Sequence, residues 1–289
     1  MKTTRPSRPL RPSSDKGIKS TRIKGLLRLF AFFSFTAILA LTAFPSPAFS
    51  LSINIDPSNI NVTLKPGETK DGEILVQNFG DSKIKIKAYT EDWIYASDGS
   101  KVFMKPGSSV YSCSSWIKLE SDQFDLGSKE DKKVKYTISS PSNASGGHVS
   151  VIFFESATDK YEGIAVAGRI GTIVYQNTEG DIKRSGDIKA FSVLTSEEGK
   201  PLILQVSFEN TGNSYISAKP SIMIMDGGKA VAESQAMLIN TLPGDTKVST
   251  VTINKPLTEG NYKAQVELNF DNKTLKSQSD FTIKKSHQK

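Results

Sequence analysis

From residue 51 onward, apolar and polar side chains alternate with a period of two over most of the chain. Leu202, Leu204, Val206 and Phe208 are interleaved with Ile203, Gln205, Ser207 and Glu209. Tyr262, Ala264, Val266, Leu268 and Phe270 alternate with Lys263, Gln265, Glu267, Asn269 and Asp271. Earlier, Ile84, Ile86 and Ala88 alternate with Lys83, Lys85 and Lys87, and Val134, Tyr136 and Ile138 with Lys133, Lys135 and Thr137. Successive side chains of a strand point to opposite faces, so each of these segments predicts a strand with one core face and one wet face. No stretch after residue 50 carries a helical stripe with caps.

The pattern predicts strands near 52–55, 61–64, 72–78, 83–95, 101–111, 116–120, 132–139, 147–155 and 164–177. A second group follows near 187–195, 201–210, 218–226, 229–238, 246–254, 260–271 and 274–284. Turn signals at 78–81 (Asn-Phe-Gly-Asp), 97–99, 210–213 (Asn-Thr-Gly-Asn) and 226–228 separate them. The fold class is therefore all-β: two consecutive immunoglobulin-like β-sandwiches, over residues 51–180 and 187–285. The polar linker between them, 177–186, is short, which brings the two blocks into contact. Leu64-Lys-Pro-Gly-Glu-Thr-Lys70 echoes Leu242-Pro-Gly-Asp-Thr-Lys247, a shared turn chemistry in which Pro sets φ and Gly supplies positive φ.

Charge changes the picture of the N-terminus. The full chain of 289 residues carries a formal charge of +7. Residues 1–28 contain nine basic side chains and one acid, a surplus of +8, which leaves −1 for everything that follows. An apolar run at 29–44 comes next, then Pro45, Pro47 and the Ala48-Phe49-Ser50 ending. Basic, apolar and small-residue regions in that order read as a signal peptide over 1–50, cut after Ser50, with an uncleaved membrane anchor as the alternative. The expectation is an exported protein, periplasmic or on the cell surface, touching a membrane only through the N-terminal segment if that stays uncleaved. A near-neutral remainder without a basic–aromatic surface excludes nucleic acid as a partner.

Candidate chemistry is sparse. One cysteine, Cys113, rules out a disulfide framework and multi-cysteine zinc sites, and reads as a small semi-buried strand residue. His148, at a strand start, lacks the positioned acid and elbow motif of a nucleophilic triad. Asp122, Asp125, Glu130 and Asp131 lack the ligand spacing of a calcium loop and read as a solvated turn. Trp93 and Trp116 read as sandwich-core tryptophans rather than sugar platforms. No phosphate loop or dinucleotide fingerprint occurs. The chain is read as a non-enzyme without catalytic residues, metal site or cofactor.

In the first block the order of motifs is Pro66-Gly67, Ile74-Leu-Val-Gln-Asn78, Trp116-Ile-Lys-Leu-Glu120, Phe124-Asp-Leu-Gly127, Lys132-Lys-Val-Lys-Tyr-Thr-Ile138, Gly147-His-Val149 and Arg169-Ile-Gly-Thr-Ile-Val-Tyr175. This succession resembles the N-terminal domain of periplasmic pilus-assembly chaperones. It also resembles the first domain of bacterial cell-surface proteins of the WxL-interacting type, whose companion domain the second block resembles. The chaperone resemblance implies a last strand that lends apolar residues to a pilus subunit, and a basic pair that anchors the subunit's carboxylate end. Arg169 falls close to the last-strand member of that pair, whereas residues 51–55 contain no basic side chain.

The segment 164–175 is apolar on both faces, which makes it an edge hazard unless something covers it. Either a partner strand pairs along it, with Ile164, Val166, Arg169, Ile170 and Val174 as the partner-binding residues, or the second block or the strand at 61–64 covers it internally. The partner is a co-exported or envelope protein, a pilin-like subunit or a surface protein. The alternative function is a structural or adhesion module at the cell surface that binds peptidoglycan or another envelope component.

Overall fold

A computed structural model describes residues 53–157 and 167–285. The first block contains β1 (Ile53–Asp56), β2 (Asn59–Leu64), β3 (Thr69–Asn78), β4 (Ile84–Tyr95), β5 (Lys101–Met104), β6 (Ile117–Leu119), β7 (Gln123–Leu126), β8 (Asp131–Ser139), β9 (Gly147–Ala157) and β10 (Ala167–Thr178). The second contains β11 (Gly186–Thr195), β12 (Leu202–Asn210), β13 (Ile216–Asp226), β14 (Lys229–Gln235), β15 (Ile239–Thr241), β16 (Thr246–Ile253), β17 (Gly260–Phe270) and β18 (Lys273–Ile283). A single 3-10 turn among the described residues, Ser114–Trp116, interrupts the strands. Among the described residues no helix is long and apolar enough to cross a membrane.

In the first sandwich a sheet ordered β1-β3-β8-β6 faces a sheet ordered β2-β10-β9-β4-β5, with β7 alongside β4. The second sandwich opposes β11-β12-β16 to β14-β13-β17-β18, with β15 on β13. The period-2 pattern delivers the cores directly. Leu202, Leu204, Val206 and Phe208 are buried against Ala264, Val266, Leu268 and Phe270. Ile74, Val76, Ile86, Val134 and Ile138 do the same in the first block. Each such side chain contributes roughly 1.5–3 kcal/mol by leaving water.

Three local expectations are corrected. The strand placed at 101–111 ends at Met104, because Pro106 offers no N–H and Gly107 takes φ 80° in the turn closed by Ser108 N–H to Lys105 O (3.2 Å). Residues 123–126, within the acidic turn, form β7, with Phe124 and Leu126 buried. Cys113 lies in the turn ahead of Ser114, not on a strand, and is fully buried.

The same end-of-strand lock occurs in both sandwiches. Asn78, which closes β3, donates Nδ2 to the carbonyls of Ser82 (2.8 Å) and Gly127 (2.7 Å) and accepts the Gly80 N–H (2.9 Å). Asn210, which closes β12, donates to Ser214 O (2.9 Å) and Thr241 O (3.3 Å) and accepts the Gly212 N–H (2.9 Å). The Pro-Gly echo is likewise one geometry used twice. Glu68 Oε2 accepts the Lys65 N–H (2.7 Å) and Asp245 Oδ2 the Leu242 N–H (2.9 Å), around Gly67 and Gly244 at φ 79° and 80°.

Candidate functional site

β10 is the strand on which the functional expectation rests, and its two halves have different surroundings. From Ile173 to Thr178 it is paired on both sides, antiparallel with β9 and parallel with β2, where Ile173 faces Asn59 and Thr178 faces Leu64. From Ala167 to Thr172 it pairs with β9 alone among the described residues. The boundary is drawn by the crossover between β1 and β2. There Thr172 Oγ1 donates to Pro57 O (2.9 Å) and Ile173 N–H to Ser58 O (3.0 Å).

The backbone of a strand presents successive residues to alternate edges. Since Ile173 directs its N–H toward β2, Gly171 and Arg169 direct theirs to the same side, where β2 no longer runs. The side chains alternate in the perpendicular direction. Ile170, Thr172 and Val174 turn toward the sandwich core; Arg169, Gly171, Ile173 and Tyr175 turn outward.

The outward face is covered as well, by an aromatic layer that explains why the segment reads apolar on both faces. Trp93, Val149, Val151 and Phe153 form a small second core there with Leu242 of the second sandwich, flanked by Tyr95, Phe103, Tyr111, Tyr175 and Tyr215. The rings of Tyr175 and Tyr215 meet across the junction in a tilted contact at 4.5 Å. Tyr111 Oη donates to Pro243 O (2.9 Å), Gly147 N–H to Asn213 O (2.7 Å), Ser214 Oγ to Asn177 Oδ1 (2.8 Å), and Lys247 Nζ to Ala96 O. Burial pushes the Tyr95 and Tyr175 hydroxyls well above the usual phenol range, so both stay protonated. Gly171 is demanded by this packing, because a Cβ there would sit 2.7 Å from Val151 Cγ2 and 2.8 Å from the Phe153 ring.

Of the five expected partner-binding residues, Ile164 and Val166 lie outside the described residues. Ile170 is half-buried against the first core. Val174 is fully buried, between Ile60 on β2 and Ser150 on β9, so a strand arriving from outside does not reach it. Arg169 stacks its guanidinium 4.2 Å above the Phe153 ring and pairs with Glu91 at 3.2 Å. It also donates to Tyr89 Oη (3.3 Å), whose own proton goes to Glu155 Oε2 (2.6 Å). Within the chain, Glu91 is the carboxylate that Arg169 pairs with, and residues 53–56 of the first strand carry no basic side chain.

The other singled-out residues are structural. Trp93 is fully buried and donates Nε1 to Ser150 O (3.1 Å), while Trp116 meets His148 in a tilted contact at 4.3 Å. Burial, with Asp92 adding to it, pushes the Cys113 thiol far up and leaves it unreactive. Asp125 lies on β7 rather than in a turn and is held by Lys83 (2.8 Å), while Glu130, in the turn before β8, accepts the Gly127 N–H (2.5 Å). Sequence reasoning missed Asp92, a carboxylate that is 0% exposed. Its Oδ1 accepts the Ser112 (2.6 Å) and Ser114 (2.5 Å) hydroxyls and its Oδ2 the Ser109 N–H (2.9 Å), pinning the loop after β5. Among the described residues no group of three or more His, Cys, Asp or Glu converges as metal ligands would.

No protein-family model matches the chain. No curated protein matches it either. Solved structures do. The YadV chaperone shares 11% identity, covering 80% of this chain and 100% of that one at a TM-score of 0.41. The class 5 fimbriae chaperone CfaA shares 14%, covering 80% and 98% at 0.45. The CsuC-CsuE chaperone–tip adhesion subunit pre-assembly complex of Acinetobacter baumannii matches at 11%, covering 81% and 99% at 0.40. These chaperone structures, at 11–14% identity, are what the two-sandwich chain is similar to.

Proposed function

We propose that the chain is an exported, non-enzymatic binding protein that takes up an extended segment of a co-exported protein, such as a pilin-like subunit, along the N-terminal half of β10. The observation that supports this reading is the half-open edge. Arg169 and Gly171 present N–H and C=O groups to a side on which β2 has already turned away. An unpaired strand edge is a template for another strand, with main-chain hydrogen bonds giving affinity and alternate side chains giving selectivity. An incoming strand beside residues 167–172 would lay one side chain near Ile170 over the open corner of the core. Its neighbour would lie beside the Arg169–Phe153 stack. Pro57 and Ser58 stop it at residue 172.

Amide hydrogen exchange of residues 51–289, with and without a library of capped hexapeptides of alternating Val and Thr, tests this. The expected result is added protection at the Arg169 and Gly171 N–H groups. Arg169→Pro removes the outward donor without touching the ladder to β9 and should abolish the protection. Arg169→Ala loses the ion pair but should keep it. Protection elsewhere on the molecule, or equal binding by Arg169→Pro, refutes the reading.

A further inference from the structure

Five buried side-chain atoms of the first sandwich have no hydrogen-bonding partner among the described residues: Ser140 Oγ, His148 Nδ1, Gln176 Nε2 and Oε1, and Thr178 Oγ1. They belong to four residues that the topology brings to one end of the sandwich interior. Gln176 and Thr178 follow Val174 on the inward face of β10, each 1% exposed. His148 stands directly opposite Gln176 on β9, and Leu64 stands beside Thr178 on β2. Ser140 continues the inward face of β8 beyond Ile138. It is tied to the same end because the turn that leaves Leu64 returns the Gly67 N–H to Ser140 O (3.0 Å). The Trp116 ring packs against the His148 ring, centroids 4.3 Å apart and tilted by 51°.

We propose that Ser140, His148, Gln176 and Thr178 enclose an internal binding site for water. The donor and acceptor inventory fits a neutral ligand that can both give and take protons. His148 Nε2 lies 3.0 Å from Ser145 O, an acceptor only, so Nε2 carries the proton and Nδ1 is left needing a donor. Gln176 offers two donors and an acceptor, and Ser140 and Thr178 a hydroxyl each. None of the four is charged, and burial lowers the imidazole pKa, which keeps it neutral. An ion would find no countercharge in this set. Leaving a buried amide unsatisfied costs about 1–3 kcal/mol per group, and internal waters settle where two to four such groups converge. Five atoms suffice for about one or two molecules.

The test uses the folded chain 51–289 in two ways. Oxygen-17 relaxation dispersion of the solvent reports water held for long times inside a protein. The double variant Gln176→Met, Thr178→Val should lower its amplitude by at least one water equivalent, with near-ultraviolet circular dichroism showing that the fold persists. In the unaltered chain, the Gln176 side-chain amide protons should show rotating-frame exchange-free cross-peaks to the water resonance. An unchanged dispersion amplitude overturns the proposal. So does a scalar coupling from the Gln176 amide to His148 Nδ1, which would mean the groups satisfy each other directly. Should the double variant fail to fold, the cross-peaks in the unaltered chain decide.

Discussion

Asp92→Ala removes the acceptor on which the loop between β5 and the 3-10 turn depends. The carboxylate is wholly buried and has no cation beside it; three donors hold it, the Ser109 N–H and the Ser112 and Ser114 hydroxyls, at 2.9, 2.6 and 2.5 Å. Hydrogen bonds to a charged group contribute about 1.5–3 kcal/mol each, against which stands the several kcal/mol of burying the charge. After truncation the Ser114 hydroxyl can turn to Ser150 Oγ, 2.7 Å away, whereas the Ser109 N–H has nowhere to go. One orphaned amide, one re-paired hydroxyl (Ser114), one part-buried hydroxyl left without its acceptor (Ser112) and a cavity of carboxylate size amount to a loss of about 3–4 kcal/mol. Asp92→Asn keeps an acceptor for both hydroxyls but turns an NH2 toward the Ser109 N–H, so its loss should be smaller, about 2 kcal/mol. Urea unfolding followed by Trp93 emission reads both, since Trp93 donates to Ser150 O within the same network. A loss below about 1 kcal/mol for Asp92→Ala, or an Asn variant less stable than the Ala one, would falsify the assignment of these three bonds as what holds the loop.

Two further outcomes follow from buried polar groups. Asn78→Ala and Asn210→Ala each strip two carbonyls and one N–H of their partner, so each should lower the stability of its own sandwich by about 2–4 kcal/mol. Calorimetry should resolve an early transition in each variant, and a shift common to both sandwiches would contradict the equivalence. Burial holds the folded-state pKa of His148 below its usual 6.5. The unfolded chain therefore binds the proton first, and stability falls as the pH drops below 6.5. His148→Gln should flatten that part of a urea-midpoint profile; an unchanged slope refutes it.

What the sequence made legible is what repeats every two residues. Leu202 to Phe208 and Tyr262 to Phe270 could be placed in a core because one face of each strand is apolar without exception. β7 was hidden because only Phe124 and Leu126 carry its signal inside an acid-rich turn. Asp92, Asn78 and Gln176 could not be told from solvent-facing residues, since alternation says which face a side chain takes but not whether a distant donor awaits it. The partners of Asp92 lie 17 to 22 residues further on, and Glu91, which engages Arg169, lies 78 residues before it. The Asn-x-Gly turns at 78–80 and 210–212 were visible as turns. Their equivalence emerged only when both amides were seen reaching carbonyls across the sandwich.

The half-open edge of β10 is the least legible feature, because it is decided by a competition on another segment. Extended backward in register, β2 would set Ser58 beside Thr172, Pro57 beside Gly171 and Asp56 beside Ile170. Those residues are the ones that could close the edge, yet Asp56 already faces Leu75 on β3, with Ile55 facing Val76 and Ile53 facing Asn78. Moving them across would withdraw Ile53 and Ile55, both buried, from the core. Pro57 would still have no N–H to offer. Burial of two isoleucines at about 2 kcal/mol each, together with four ladder positions on β3, outweighs three positions on β10 of which one is a proline. Among the described residues the edge is therefore held open by the packing of β1 rather than by fraying of β10, and Arg169 and Gly171 keep their place in the strand through the ladder to β9.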